Sequence, residues 1–341
     1  MRSLTNWTGL RPGSPWAANA NKLVNDSTRS ERNYRIGIKC PAPPRGKNRQ
    51  WGDYYFAQSL KRALETQGWV ARVDLRPDWF SSESFRDDAV IVLRGLEKYE
   101  PLGSQINLVW VISHPDKVSD SELEAFDHVF VASESYARTL ALRLNVPVSP
   151  LFQCSDPGTF YPPTTLSEPH GLDVLFVGNA RGAIRPAVAD AIAQNLTVSI
   201  YGHGWDKFLP PKRILGKHIL NGVLHKYYAQ AKIVLNDQWP DMEREGFITN
   251  RIFDVALSGG FVISKDFKGS ELFEGDLVTY RTSAELAELC DTWLRADFER
   301  RRLAEKLRQR TLRSFTFLQR AIEIVAAIDA LREASKRAEL R

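Results

Sequence analysis

From Tyr34 onward, short runs of β-branched and apolar residues alternate with stretches of helical periodicity. "YRIGIKC" reads as a short buried strand, and a loop rich in Pro, Gly, Lys and Arg follows. "DYYFAQSLKRALETQGW" then spaces its apolar residues as a helix does and ends at Gly68. "VARVDL", "AVIVLRGL", "INLVWVIS" and "HVFVASE" continue the series, followed by the helical "SYARTLALRLN" and the short "VSPLF". Such alternation predicts a parallel sheet wrapped by helices.

The rhythm breaks at "CSDPGTFYPPTTLSEPHG", a Pro-, Gly- and Thr-rich stretch without periodicity that reads as an interdomain linker. It restarts with "LDVLFVGNARG", the helical "PAVADAIAQN", "LTVSIYGHGW", "VLHKYYAQA", "KIVLND", a further helix within "EREGFITNRIFDVALSGG", and "GFVISK", "LVTYR" and "SAELAELCDTWLR". A second doubly wound α/β domain is the simplest description. The tail is helical and charged from Phe298. Its last segment carries Ile322, Ile324, Val325, Ile328 and Leu331 on one apolar stripe, which needs the first domain or a partner chain to cover it.

The expected fold class is therefore α/β, with two doubly wound Rossmann-like domains facing across a cleft and a C-terminal helix. The expected divisions are a polar extension over 1–33, a first domain over 34–152, a linker over 153–171, a second domain over 172–315 and a terminal helix over 316–341.

Composition narrows the chemistry only slightly. The 341 residues are 43% hydrophobic and 26% charged, enough for two cores in a water-soluble chain. The net charge of +5 permits an anionic ligand, and the Arg-rich stretch near Arg300 is better read as a solvated helix face than as a nucleic-acid surface. Cys40, Cys154 and Cys290 form neither a CxxC pair nor a zinc-ligand spacing, so a reducing cytoplasm is the expected location. No stretch has the apolar length of a signal peptide or a transmembrane segment.

In open α/β sheets ligands bind beyond the carboxyl ends of the strands, so residues just after each strand carry the functional reading. "VLFVGNARGAIRP" delivers Gly178, Asn179, Arg181, Gly182 and Arg185 into a loop before a helix, where backbone N–H groups and guanidinium donors suit a phosphate. It is not a GxGxxG fingerprint, and a glycine turn with surface arginines is the alternative. "YGHGW" repeats the arrangement with Gly202, His203, Gly204 and Trp205, where an indole could stack on a ligand or belong to the core.

"EREGFITNRIFDVALSGGFVIS" places Glu245 ahead of a helix expected to begin near Gly246-Phe247, with Asn250 and Asp254 farther along and Gly259-Gly260 at its end. A helix N-terminus favours an anion, and carboxylates there accept hydrogen bonds from sugar hydroxyls. The alternative is an acid complementing the helix dipole, with the glycine pair as a C-cap. No DxD stretch offers a convincing divalent site, and Asp237 to Asp241 reads as a loop.

These residues resemble a known family. Asn250-Arg251-Ile252-Phe253-Asp254, Ser258-Gly259-Gly260, Glu271-Leu272-Phe273, and Phe315-Thr316-Phe317 with Arg320 are similar to the C-terminal half of GT-B glycosyltransferases. The likeness is specifically to the spore-maturation, CgeB-like branch related to the retaining group-1 class. It is strongest from about Leu172 to Arg320, with a weaker likeness in "WGDYYFAQSL", "WVISHPD" and "DHVFVASE". Two departures stand out. Eight residues rather than seven separate Glu245 from Asp254, which replaces the usual second Glu, and Ser314 stands where a His is usual.

The resemblance implies transfer of a sugar from a nucleotide-diphosphate sugar to the hydroxyl of a glycan or other acceptor, with retention, in surface polysaccharide or glycoconjugate synthesis. It implies His114, Glu245 and Arg181 as catalytic residues. Donor binding falls to Gly178, Asn179, Arg181, Arg185, Gly202, His203, Trp205, Gly246, Phe247, Asn250 and Asp254, with Asp254 toward the ribose. An acceptor-side loop contains Gly46, Trp51, Gly52 and Asp53. Arginines and a helix N-terminus can stabilise a diphosphate leaving group, so no metal or other cofactor is expected beyond the donor itself. The expected location is cytoplasmic, with peripheral attachment to the inner membrane as a variant, and the terminal helix offers a surface for oligomerisation. A nucleotide-sugar epimerase of the same architecture and a noncatalytic nucleotide-binding or scaffold module are the competing readings.

Overall fold

A computed structural model describes residues 34–44, 46, 51–164, 172–180 and 182–340. The extension over 1–33, Arg181, and the linker residues 165–171 lie outside the described residues, as do 47–50 of the acceptor-side loop.

The first sheet contains β1 (Arg35–Cys40), β2 (Val70–Leu75), β3 (Ala89–Arg94), β4 (Ile106–Val111), β5 (His128–Val131) and β6 (Val148–Pro150). All its pairings are parallel, in the order β2-β1-β3-β4-β5-β6. Parallel strands covered on both faces need apolar residues on both, and β3 is buried along its whole length. Helix α1 (Gly52–Thr66) turns Phe56, Ala57, Leu60, Ala63 and Leu64 onto one face of the sheet. On that face it meets Ile36 and Ile38, each fully buried and each contributing about 1.5–3 kcal/mol. Shorter helices α2 (Asp120–Leu123) and α3 (Glu134–Ala141) flank β5.

The second sheet contains β7 (Val174–Val177), β8 (Ser199–Tyr201), β9 (Ile214–Gly216), β10 (Ile233–Asn236), β11 (Val262–Lys265) and β12 (Val278–Tyr280). It too is parallel throughout, in the order β12-β11-β10-β7-β8-β9. Helices α4 (Pro186–Ala193), α5 (Asn221–Gln230), α6 (Pro240–Glu245) and α7 (Asn250–Leu257) connect the strands, and α8 (Ser283–Arg295) follows β12. Successive strands depart in opposite directions from the β7/β10 pair, so the crevice of this domain opens at the carboxyl ends of those two strands.

Two long helices, α9 (Asp297–Ser314) and α10 (Phe317–Glu339), complete the chain. α10 starts with a capping box between Thr316 and Gln319, and it packs on α1 of the first domain, the Phe317 ring lying 4.7 Å from that of Phe56. The α9–α10 junction is also tied to the linker. Ser155 N–H donates to the Phe315 carbonyl, and Phe317 N–H donates to the Ser155 carbonyl. The terminal helix thus bridges the domains.

Candidate functional site

At the carboxyl end of β7 the chain needs glycine. A Cβ on Gly202, whose φ is +155°, would collide with the Gly178 carbonyl, so the loops after β7 and β8 are pressed backbone to backbone. Gly178 N–H donates to the Tyr201 carbonyl at 2.8 Å, and His203 N–H donates to Asn179 Oδ1 at 2.9 Å. Gly178, Asn179, Gly202 and His203 therefore form one double-loop platform at the edge of the crevice.

Trp205 requires a correction. Its ring is 1% exposed and lies edge-on to Phe176, and its indole N–H donates to the Gly178 carbonyl at 2.7 Å. The indole holds the platform from below and has no open face on which a base could stack.

Arg185 precedes α4 and is also buried. Its guanidinium pairs with Asp237, just beyond β10, and lies 5.7 Å from the Phe176 ring and 5.3 Å from the Trp239 ring. Asp237 Oδ2 also accepts from Ala187 N–H at the start of α4, at 3.3 Å. A second guanidinium approaches from α7. Arg251 lies 3.8 Å from Asp237, donates to Asn236 Oδ1 at 3.1 Å and sits 4.9 Å from the Phe176 ring.

The helix in the Glu243–Ser264 stretch begins later than the sequence suggests. Residues 240–245 form their own short helix, opened by Pro240 and closed by Gly246 with φ +77°. The next helix starts at Asn250. Glu245 is thus the last residue of α6. Its side chain pairs with Arg244, and its carbonyl accepts from the hydroxyls of Ser133 and Ser135 in the first domain. Gly246 is a C-cap. Phe247 is fully buried, its ring 5.8 Å from Tyr136, so it holds the domains together and is not positioned at a helix N-terminus to meet a phosphate.

Asn250 and Asp254, one turn apart on α7, face a cleft of about 190 Å³. The first domain contributes Gly52, Tyr55 and Ser59 to its walls, the linker Cys154 and Asp156, and the second domain Asn221, Tyr228 and Arg251. Asn250 N–H donates to Gln153 Oε1 at 2.8 Å, and its amide donates to Asp254 Oδ2 at 3.2 Å. Burial pushes the Asp254 carboxyl up to about 7, and the nearby Ser155 hydroxyl and Arg251 offset this only in part.

His114 lies elsewhere along the domain seam. It takes a left-handed conformation, φ 53°, before a Pro115–Lys117 turn. Its ring is 5.3 Å from that of Trp239, and Nδ1 is 3.8 Å from an Asp241 carboxylate oxygen. In the acceptor-side loop, Gly46 is exposed with φ +95°, and Trp51 and Gly52 are exposed at the start of α1. Asp53 follows in the first turn of that helix.

Three residues of the site escape a reading by sequence. Asp237 and Gln238 fall in a stretch that reads as a loop, and Arg251 is named only within the Asn250–Asp254 motif, with no role of its own. Gln238 is 3% exposed, and among the described residues neither polar atom of its amide has a hydrogen-bond partner. The placement of Asp237 and Gln238 directly after β10, at the switch point of the sheet, was the available signal.

Two Rossmann-like domains facing across a cleft, each with a six-stranded parallel sheet, define the GT-B fold. Residues 181–326 match the family model described as glycosyl transferase-like. Among solved structures, Anabaena HepE, determined in complex with UDP and glucose, is similar at a TM-score of 0.60 and 11% identity, covering 87% of this chain and 100% of its own. The β-glucosyltransferase of phage T4 is similar at a TM-score of 0.51 and 13% identity, covering 89% and 99%; it has also been determined with UDP and Mn2+. The trehalose 6-phosphate synthase of Burkholderia multivorans gives a TM-score of 0.51 at 10% identity, covering 90% and 98%. A search of curated proteins gave no match.

Proposed function

We propose that this protein is a glycosyltransferase that moves a sugar from a nucleotide-diphosphate sugar to an acceptor hydroxyl. The observation that carries the reading is the cleft in which α7 presents Asn250, Arg251 and Asp254 toward α1 of the first domain. The glycosyltransferase-like match over 181–326 and the UDP complexes of HepE and the T4 enzyme support it.

In this reading Asp254 accepts hydrogen bonds from the ribose, and Asn250 and Arg251 lie beside the nucleotide. Gly178, Asn179, Gly202 and His203 border the diphosphate, with Arg181 and Arg185 supplying positive charge. Cleavage of the sugar–phosphate bond leaves charge on the diphosphate, and fixed guanidinium groups in a water-poor crevice stabilise it without reorganisation. We assign His114 and Glu245 to the sugar and acceptor side, where they share the seam with Trp239 and Arg244. Gly46, Trp51, Gly52 and Asp53 would receive the acceptor from the first domain.

Retention of configuration, independence of metal and a place in surface polysaccharide or glycoconjugate synthesis rest on the sequence resemblance to the spore-maturation branch. The test is incubation with a panel of nucleotide sugars, UDP-glucose first, with and without glycan acceptors, followed by product analysis. Transfer to acceptor, with the anomeric configuration read by NMR and the rate unchanged by EDTA, is the expected result. An altered sugar formed without acceptor would replace the reading with an epimerase, and failure to bind any nucleotide sugar would leave a scaffold module.

A further inference from the structure

The crevice of the second domain contains a buried acidic side chain where an anion-binding site would be expected to contain none. Asp237 is fully buried. It is paired with the Arg185 guanidinium, accepts from Ala187 N–H at 3.3 Å and lies 3.8 Å from Arg251. Both arginines also lie against the Phe176 ring, Arg185 at 5.7 Å and Arg251 at 4.9 Å. A carboxylate and an aromatic face therefore fix two like charges side by side that would otherwise repel. Beyond Arg251, a Cβ on residue 178 would stand 2.9 Å from a guanidinium nitrogen, so the guanidinium occupies space that Gly178 leaves open.

We propose that Asp237 is a positioning residue for diphosphate recognition. It holds Arg185 and Arg251 as a prearranged pair at the β7/β10 switch point, so that a diphosphate meets donors whose geometry is already set. Guanidinium groups held in place lose less side-chain freedom on binding than free ones do, and that saving appears directly as affinity. The inference rests on the nucleotide-sugar reading above.

The test compares the wild-type protein with Asp237→Asn and Asp237→Glu, titrating inorganic pyrophosphate, then UDP, GDP, ADP and dTDP, and then the corresponding nucleosides. Asp237→Glu retains the charge but moves the carboxylate by one methylene, so it remains informative if the neutral variant does not fold. Both variants should bind pyrophosphate and the preferred nucleoside diphosphate about tenfold more weakly and the nucleoside unchanged. In Arg251→Gln protein the effect of Asp237→Asn on diphosphate affinity should shrink, because the pair is already broken. Equal losses for nucleoside and diphosphate would show a merely structural role, and unchanged diphosphate affinity in both variants would overturn the proposal alone. A wild-type protein that binds none of these probes would overturn it together with the nucleotide-sugar reading.

Discussion

Gly178 and Arg251 fit each other closely: a Cβ at residue 178 would stand 2.9 Å from an Arg251 guanidinium nitrogen. The obstacle is the tip of a flexible side chain, so the arginine can move aside more easily than the backbone. Gly178→Ala should cost about 1 kcal/mol or less in stability, while nucleotide affinity falls by about 1–2 kcal/mol as the charged donor is displaced. Thermal unfolding beside calorimetric titration separates the two effects. A large drop in Tm with unchanged affinity would mean that Arg251 has no part in binding.

The Asp254 carboxyl gives a pH dependence of definite sign. Burial raises it from 3.8 to about 7 in the folded protein, so between those values the folded state holds a proton that the unfolded chain has released. Its contribution to stability is full below about pH 4, declines as pH rises to about 7 and is flat above that. The shift sets an upper bound of about 4 kcal/mol. Asp254→Asn should remove this slope from the unfolding free energy. Nucleotide affinity should run the other way, rising through about pH 7 as the carboxylate gains acceptor capacity. An unfolding free energy of the wild-type protein with the same pH profile as Asp254→Asn would refute the assignment.

The two sheets were legible because each strand is a short apolar run and each helix keeps its own period, so "RIGIKC", "AVIVLR" and "KIVLN" announce themselves. Of the candidate site residues, Gly202 was legible because the backbone leaves no room for a Cβ there, and Asn250 and Asp254 because they stand one turn apart on a helix that faces the cleft. The α6–α7 break was misplaced although its signal was present: Pro240 opens a helix and Gly246 closes it, which an N1 proline and a C′ glycine commonly mark. Trp205 could not be placed from sequence, since the same indole suits a ligand face and a core. Asp237 and Arg251 were hidden for another reason. Their meaning lies in a contact between elements 14 residues apart, and no local pattern encodes it.

Gln238 tests the cost of an unmet amide. Among the described residues neither end of its side chain has a hydrogen-bond partner, although it is buried just beyond β10. Gln238→Leu, of similar volume, should raise the unfolding free energy by about 1–3 kcal/mol by removing the unsatisfied group. The same substitution should lower the transfer rate if the amide meets the donor in the crevice. A stability loss on urea denaturation would show that the amide is satisfied in solution and argue against this account.

The contact between Phe317 and Phe56 gives the last prediction. The two rings meet at 4.7 Å and 74°, edge to face, where α10 crosses α1, and both residues also line the cleft. Phe317→Ala removes a buried ring from a junction that the linker also joins through Ser155. A loss of about 3–5 kcal/mol is expected for a ring deleted from a packed core. Because the ring links elements of both domains, the loss should come with weaker coupling between them. Urea unfolding followed by tryptophan fluorescence would then show two transitions where the wild-type protein shows one. A single transition displaced by less than about 1 kcal/mol would mean that α10 rests on the first domain without holding it to the second.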